Sequence, residues 1–505
     1  MKRITIAVWF FTGIAFNVGA QISKQDLAKI ETTVNRAFEV FKPAGLAVAI
    51  VKDSSVIYHK GLGMADAEKN IPVKTTSLFN IASCTKAFTA AAIGILVDEG
   101  KIKWTDKVTD YIPEFRLSDD YITREMTIED LLCHRSGLGT FYGDLLWYNT
   151  DYTDEDVIKH VRYEPVTKRF GIQFGYQNIM FMIAGDIVEK VTGSSWSEFV
   201  VKRIFEPMGM KESRPSNDEL SVNQDIALGH LENKVVDPYD FNAAKPAASI
   251  YSNVDELGLW TMLIMNGGTF RGHRIISAES LNRILEPHTI LEAGRTQKQR
   301  GTNFYTYGLG WFIYDYSGRK IAEHDGGMPG YISKVTLVPD EKISIIILNN
   351  GNEGFINSAL RGDLMDILLK GKDYDWTGEY AAMKKRYETN EEYNKKIRLE
   401  SRIAGTNPSL PSEGYTGTFS DKSYGNATVS SDGKKLTLTF LPSKKVFYGD
   451  LEHWHHDTFR VDFQDEFLTF GLVTFSFDAT GKVNGFKIDL PSADFHFWNL
   501  DFRKI

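Results

Sequence analysis

Ser83-Cys84-Thr85-Lys86 places a hydroxyl and an amine three residues apart, at the point where a long apolar run begins. Residues i and i+3 share a helix face, so a helix starting here brings Ser83 Oγ and Lys86 Nζ together. The preceding Phe79-Asn80-Ile81-Ala82 and the apolar residues 87–96 put both side chains inside the protein. A buried lysine loses affinity for its proton and becomes a base near neutral pH. Such a base activates a serine as nucleophile without a histidine. Two fixed letters in four also arise by chance, so the chemistry needs partners elsewhere in the chain.

Two distant stretches supply candidates. Tyr176-Gln177-Asn178 follows Phe174-Gly175 and opens a helical run from Ile179, placing a phenol and an amide at a helix start. There they either face a cleft or simply cap the helix. His324-Asp325-Gly326-Gly327 lies among β-rich residues, and its glycines let bare sheet backbone approach a ligand. Cys84 is a rival nucleophile, but no Cys-His pair is legible and Ser83 has the lysine. The chain holds two cysteines, Cys84 and Cys133, which are expected to be buried free thiols. His453-Trp454-His455-His456 lacks the companion ligands of a metal site and reads as strand, so neither metal nor cofactor is expected. The stretch Phe141-Tyr142, Leu145-Leu146-Trp147-Tyr148 reads equally as one wall of an acyl pocket or as core.

The elements that must position these groups follow from periodicity. Residues 25–41 have helical spacing, residues 45–53 and 55–61 form a hairpin, and helical patterns dominate from Phe79 to about Trp260. Strands are expected again at 308–314, 333–338 and 343–348. This is an α+β pattern: an antiparallel sheet flanked by helices, split by a helical subdomain. A charged segment, 376–402, predicts a helix that ends before Asn407-Pro408-Ser409-Leu410-Pro411. Beyond it, alternating runs at 415–419, 436–440, 458–463 and 473–478, divided by Asp432-Gly433 and Thr480-Gly481, predict a small antiparallel β-barrel.

With 505 residues, 42% of them hydrophobic, the chain has ample core for two or three domains. Lys2-Arg3, an apolar run to Val18 and Gly19-Ala20 read as a signal peptide ending near Ala20. No cysteine stands there for a lipid anchor, and no later stretch is apolar for long enough to span a bilayer. Loss of Lys2 and Arg3 with the leader takes the formal charge from −8 to −10, which argues against a nucleic-acid partner. The expected divisions are a signal peptide at 1–20, a catalytic domain at 21–375, a helical linker at 376–411 and a barrel domain at 412–505.

The three motifs, in this order, resemble those of the serine β-lactamase and penicillin-binding-protein-like hydrolases, in particular their class C-like, esterase and D-aminopeptidase branch. The resemblance runs from about Phe41 to Lys370 and takes in the stretches at 131–138, 204–210, 248–252 and 307–311. The C-terminal alternation resembles the lipocalin-like barrel often appended to such enzymes. Family likeness implies that Ser83 is acylated and that Lys86 and Tyr176 move its proton. It also implies that Asn178 orients Lys86 and the substrate, and that backbone N–H groups of Ser83 and Gly327, beside Gly326, hold the oxyanion. Either Lys86 or Tyr176 serves as the base at this level of reading.

The leader implies export, to the bacterial periplasm, and the resemblance implies a hydrolase of small-molecule esters or amides. An acyltransferase using a hydroxyl or amine acceptor, a β-lactamase or D-amino-acid peptidase, and a non-catalytic penicillin or muropeptide sensor are the alternatives. The barrel is expected to shape or cover the cleft. One departure narrows the substrate: penicillin-directed members carry Lys-Thr/Ser-Gly where this chain has His324-Asp325-Gly326. A neutral His324 grips a substrate carboxylate weakly, and instead polarises a leaving group, supports Tyr176 or stands as a hydrogen-bonded strand residue; an Asp325 facing the cleft repels the carboxylate. Short-chain aryl esters are therefore expected to be turned over faster than nitrocefin by the purified protein. A nitrocefin rate equal to or above the ester rate overturns that reading.

Overall fold

The structure, a computed structural model, describes residues 22–505 apart from 233, 239–241, 300 and 373. The leader read from the sequence lies outside the described residues. A nine-stranded antiparallel sheet forms the centre of the larger part. In chain order its strands are β1 (Gly45–Lys52), β2 (Ser55–Asp66), β3 (Ile71–Pro72), β4 (Thr289–Leu291), β5 (Tyr305–Tyr307), β6 (Phe312–Tyr316), β7 (Arg319–Met328), β8 (Tyr331–Val338) and β9 (Ile343–Asn349). Across the sheet they run β4-β5-β6-β7-β8-β9-β1-β2-β3, so the chain leaves after β3 and returns at β4. Helices fill the excursion, as the split pattern implied.

Residues on β1 show why the sheet is central. Leu46, Val48 and Ile50 face one side and Ala47, Ala49 and Val51 the other, and all six are buried. The larger set packs with Ile30, Val34 and Phe41 of helix α1 (Lys24–Phe41) and with Ile356, Leu360 and Leu364 further along the chain. The smaller set packs on the other side with Phe88 and Ala91 of α2 (Thr85–Asp98) and with Trp260 in one cluster. With helices on both faces, an uninterrupted apolar strand is what the packing requires.

Pairing along β7 creates a local edge. β6 meets it only from Phe312 opposite Glu323 to Tyr316 opposite Arg319, while β8 follows it through Met328. Residues 324–328 therefore have a neighbour on one side alone. The cause is a turn at 308–311, where the sequence predicted strand. Gly310 adopts φ +78, and a Cβ there would lie 2.9 Å from the Lys86 carbonyl oxygen, so the chain bends around the start of α2 instead of extending β6.

Behind β7 lies a buried charge cluster. The excursion includes helix α3 (Asn178–Thr192); Arg361, on the later helix α4 (Gly354–Leu368), sits 3.0 Å from Glu323. Lys334 of β8 sits 3.5 Å from Glu323 and also pairs with Asp325. The Thr336 hydroxyl donates to Glu323 at 2.8 Å.

After α4 comes α5 (Trp376–Glu400), the expected charged helix. Its first turns are anchored, with Trp376 N–H groups donating to Asp363 and Asp366, and its later turns are exposed. Eight strands from Gly417–Asp421 to Phe502–Lys504 then close a barrel in sequential order. Phe419, Phe440, Phe459, Phe475, Phe486 and Phe502 fill its interior, with ring centroids such as Phe486–Phe502 4.6 Å apart. The barrel rests on residues 141–164 of the helical excursion. Tyr148 Oη donates to Asp465 at 3.0 Å, Tyr152 Oη to the Tyr424 carbonyl at 2.8 Å, and Asp151 N–H to the Pro442 carbonyl at 2.8 Å.

No helix among the described residues is long and apolar enough to cross a membrane. Removing Arg361 leaves Glu323 and Asp325 sharing one buried cation. Arg361→Met is expected to cost about 3–5 kcal/mol of stability, read as a lowered urea midpoint.

Candidate active site

Ser83 sits in a one-turn 3-10 segment, Ala82–Cys84, that runs directly into α2. The turn is entered through Ala82 at φ +47, a left-handed conformation that costs a non-glycine residue roughly 1–2 kcal/mol. Asn80 supports it, its Oδ1 accepting from Ala82 N–H at 2.7 Å. Lys86 is fully buried in the first turn of α2. Its Nζ donates to Ser83 Oγ at 2.9 Å, to Asn178 Oδ1 at 2.7 Å and to the Ala247 carbonyl at 3.0 Å. The Ser83 hydroxyl is near enough to the Tyr176 phenol to favour its ionised form, against the larger opposing effect of burial.

Burial sets the proton affinities. Loss of solvent pulls the Lys86 ammonium down to about 7, with the Asp144 carboxylate the main opposing influence. The same desolvation pushes the Tyr176 phenol above its ordinary value, so that it holds its proton. Tyr176 is placed by backbone on both sides. His134 Nδ1 accepts from Gln177 N–H at 3.0 Å, the His134 carbonyl accepts from Gly175 N–H at 2.9 Å, and Tyr176 N–H donates to Thr140 Oγ1 at 3.1 Å. The His134 ring lies against the Tyr176 ring, 4.2 Å between centroids. Asn178 begins α3, and its side chain serves Lys86 rather than capping the helix.

β7 closes the other side. A Cβ on Gly326 would lie 2.1 Å from the Ile81 carbonyl oxygen and 2.9 Å from Ser83 N, so this strand touches the nucleophile turn because the residue is glycine. Gly327 follows on the unpaired edge. His324 is buried, and both ring nitrogens are occupied: Nδ1 by the Asp325 carbonyl at 2.6 Å and Nε2 by Tyr307 Oη at 2.8 Å. Desolvation lowers it to about 3, so it is neutral. Asp325 is on the opposite face of the strand, exposed and paired with Lys334.

The structure thus brings Ser83, Lys86, Tyr176, Asn178 and Gly326 together, with Gly327 next along the strand, while His324 is set one step back, behind Tyr176, its ring 6.2 Å from the phenol ring. Sequence reading missed Asp144. Its carboxylate accepts from Asn178 Nδ2 at 2.7 Å and from Trp147 Nε1 at 3.0 Å. The signal was present in the aromatic stretch, where Asp144 is the one acidic residue amid Phe141-Tyr142 and Leu145-Leu146-Trp147-Tyr148. Residues 145–148 are core, whereas the Phe141 ring packs edge-on to Tyr176 at 5.4 Å.

Family comparison decides the lineage. The Beta-lactamase family model matches residues 34–366. The chain belongs to the beta-lactamase family. Residues 401–504 match a domain of unknown function, DUF3471. Among similar proteins, the unguisins hydrolase of Aspergillus campestris is 26% identical over 84% of this chain and 83% of its own length. Penicillin-binding protein 4* of Bacillus subtilis is 25% identical over 67% of this chain and 75% of its own. The octameric penicillin-binding protein homologue from Pyrococcus abyssi has the same fold, with a TM-score of 0.62 at 22% identity over 95% of this chain and all of that one. Family and hydrolase-named relatives make this a serine-hydrolase-type protein.

Cys84 and Cys133 are both free and buried, and burial raises each thiol to about 12. In the barrel, His453 Nε2 meets the His456 carbonyl at 3.0 Å and His455 Nδ1 accepts from Ile403 N–H at 3.3 Å. Iodoacetamide at pH 8 is expected to leave both cysteines unmodified in the folded protein and to alkylate both in denaturant, read by intact mass. Rapid alkylation of Cys84 in the folded state contradicts its placement.

Proposed function

We propose that this protein is an exported serine hydrolase that forms an acyl-enzyme on Ser83 with ester or amide substrates. The observation that carries the reading is Lys86 Nζ, buried and 2.9 Å from Ser83 Oγ, with a proton affinity near neutrality. Neutral Lys86 takes the Ser83 proton as Oγ attacks the carbonyl carbon. The oxyanion is held by backbone N–H groups of Ser83 and Gly327, a type of contact whose loss costs about 3 kcal/mol. Tyr176, which burial keeps protonated, gives its proton to the departing alcohol or amine and is reprotonated through Lys86. Water then attacks the acyl-enzyme by the reverse proton path and frees the acid.

His324 in this scheme holds Tyr307 and the strand end, acting on the substrate only through Gly326 and Gly327. Water is favoured as the acceptor over an added alcohol or amine because the 26%-identical relative is named a hydrolase. Export rests on the apolar leader at 1–20. The divisions that go with this reading are a catalytic unit at 21–375, a helical linker at 376–411 and a barrel at 412–505.

A fluorophosphonate is expected to add one adduct to the wild type and none to Ser83→Ala, read by intact mass. The rate of adduct formation is expected to rise with pH through a midpoint near 7, because the reactive form carries neutral Lys86. Absence of an adduct on the wild type removes the covalent-serine mechanism, and a rate that falls with rising pH removes Lys86 as base.

A further inference from the structure

Asp144 is joined to the lysine through one amide. Lys86 Nζ donates to Asn178 Oδ1, and Asn178 Nδ2 donates to Asp144 Oδ2 at 2.7 Å. An amide has a donor end and an acceptor end of nearly equal size, so something must decide which one faces the lysine. A carboxylate only accepts, and Asp144 therefore claims the NH2 end and turns the oxygen towards Lys86. Trp147 Nε1 fixes the other carboxylate oxygen at 3.0 Å. Asp144 is buried, and desolvation raises it to about 7, against the hydrogen bonds that favour its charge.

The segment carrying Asp144 is the one the barrel grips. Tyr148 Oη reaches Asp465, its ring lies 4.2 Å from Phe495, and Tyr142 packs edge-on to His496 at 4.8 Å. Asp494, on the same barrel loop, is close enough for its charge to raise the proton affinity of Asp144. Glu164, beyond the same segment, accepts from the barrel's Ser423 hydroxyl.

We propose that Asp144 is a positioning residue for the Lys86–Asn178 pair and that the C-terminal barrel, by gripping residues 141–152, is what keeps it in place. This rests on the Ser83–Lys86 reading above. The ionised carboxylate orients Asn178 and supplies the negative charge nearest the lysine. The other titratable groups around the pair are Cys84 on the nucleophile turn, His134 and Tyr176 on the facing loops, His324 on β7 and Asp494 on the barrel. Burial holds Cys84 and Tyr176 protonated and both histidines neutral, which leaves the two aspartates to tune Lys86.

The test is the pH profile of fluorophosphonate labelling of Ser83, in full-length protein shown by circular dichroism to be folded. Asp144→Asn removes the charge, so Lys86 gives up its proton more readily. The labelling midpoint is expected to move about one pH unit lower, and the plateau rate to fall roughly tenfold as Asn178 loses its orientation. Asp144→Glu is expected to restore part of the plateau. Asp494→Asn, at the barrel rim, removes the charge that opposes ionisation of Asp144 and is expected to move the midpoint the other way, by a few tenths of a unit.

An unmoved midpoint in folded Asp144→Asn overturns the proposal even if the rate falls, since packing alone then accounts for the loss. If Asp144→Asn does not fold, Asp494→Asn decides: an upward shift supports the proposal and no shift overturns it. A shift in Asp144→Asn with none in Asp494→Asn overturns the barrel's part. Failure of the wild type to label defeats the nucleophile reading itself, a different outcome from any of these.

Discussion

An ammonium group removed from water is the constraint around which this molecule is organised. Lys86 is wholly enclosed, and a bare charge there would be costly. The protein answers with three acceptors from three separate parts of the chain: Ser83 Oγ on its own turn, Asn178 Oδ1 at the start of α3 and the Ala247 carbonyl. All three N–H donors are met, but by acceptors without a full charge, and Asp144 reaches the lysine only through Asn178; the cost of desolvating the charge is what lowers the proton affinity into the neutral range. A lysine in direct contact with a carboxylate would hold its proton more tightly. The Ser83 turn, the start of α3 and the short helix at 245–248 bring these acceptors to one point.

The local edge at 324–328 solves a second problem, that of bringing strand backbone against the Ser83 turn. An unpaired strand edge exposes donors and acceptors that ordinarily need covering. Here the turn at 308–311 ends β6 early, and the freed edge of β7 lies against the Ser83 turn. The same glycine-rich turn folds around the Lys86 carbonyl, so one bend in the chain both shapes the lysine's helix and releases the strand. Arg361, Lys334 and Glu323 hold that strand from behind.

The fold was largely legible because its elements are strongly patterned: the apolar run of β1, the hairpin with β2, the β8–β9 pair and the alternating C-terminal strands. Ser83 and Lys86 stood out by type and spacing, whereas Tyr176 and Asn178 acquired their roles only through the family resemblance. What the sequence hid were relations with no local pattern. The 308–311 stretch reads as strand by composition, and only its hydrogen bonds to Leu132 and Ile284 and its close approach to Lys86 make it a turn. Asp144 is a single acidic letter in an aromatic run, and its link to Asn178 spans 34 residues. Whether Asp325 faces the nucleophile depends on strand parity, which composition does not reveal.

That parity has a consequence for how this family can diversify. Along β7, Ala322, His324 and Gly326 turn towards the nucleophile helix, and Glu323 and Asp325 towards the ion cluster. Insertion or loss of one residue between Arg319 and Glu323 would exchange the two sets, driving an aspartate into the Ser83 turn and stripping Lys334 of its partner. A change of two residues would restore both. Length changes at the outer end of this strand must therefore come in even steps or be absorbed by a bulge, as the β1–β2 pair does at Ile50/Val51, whereas the 317–318 turn beyond it, with Ser317 and Gly318 already left-handed, is free of that arithmetic.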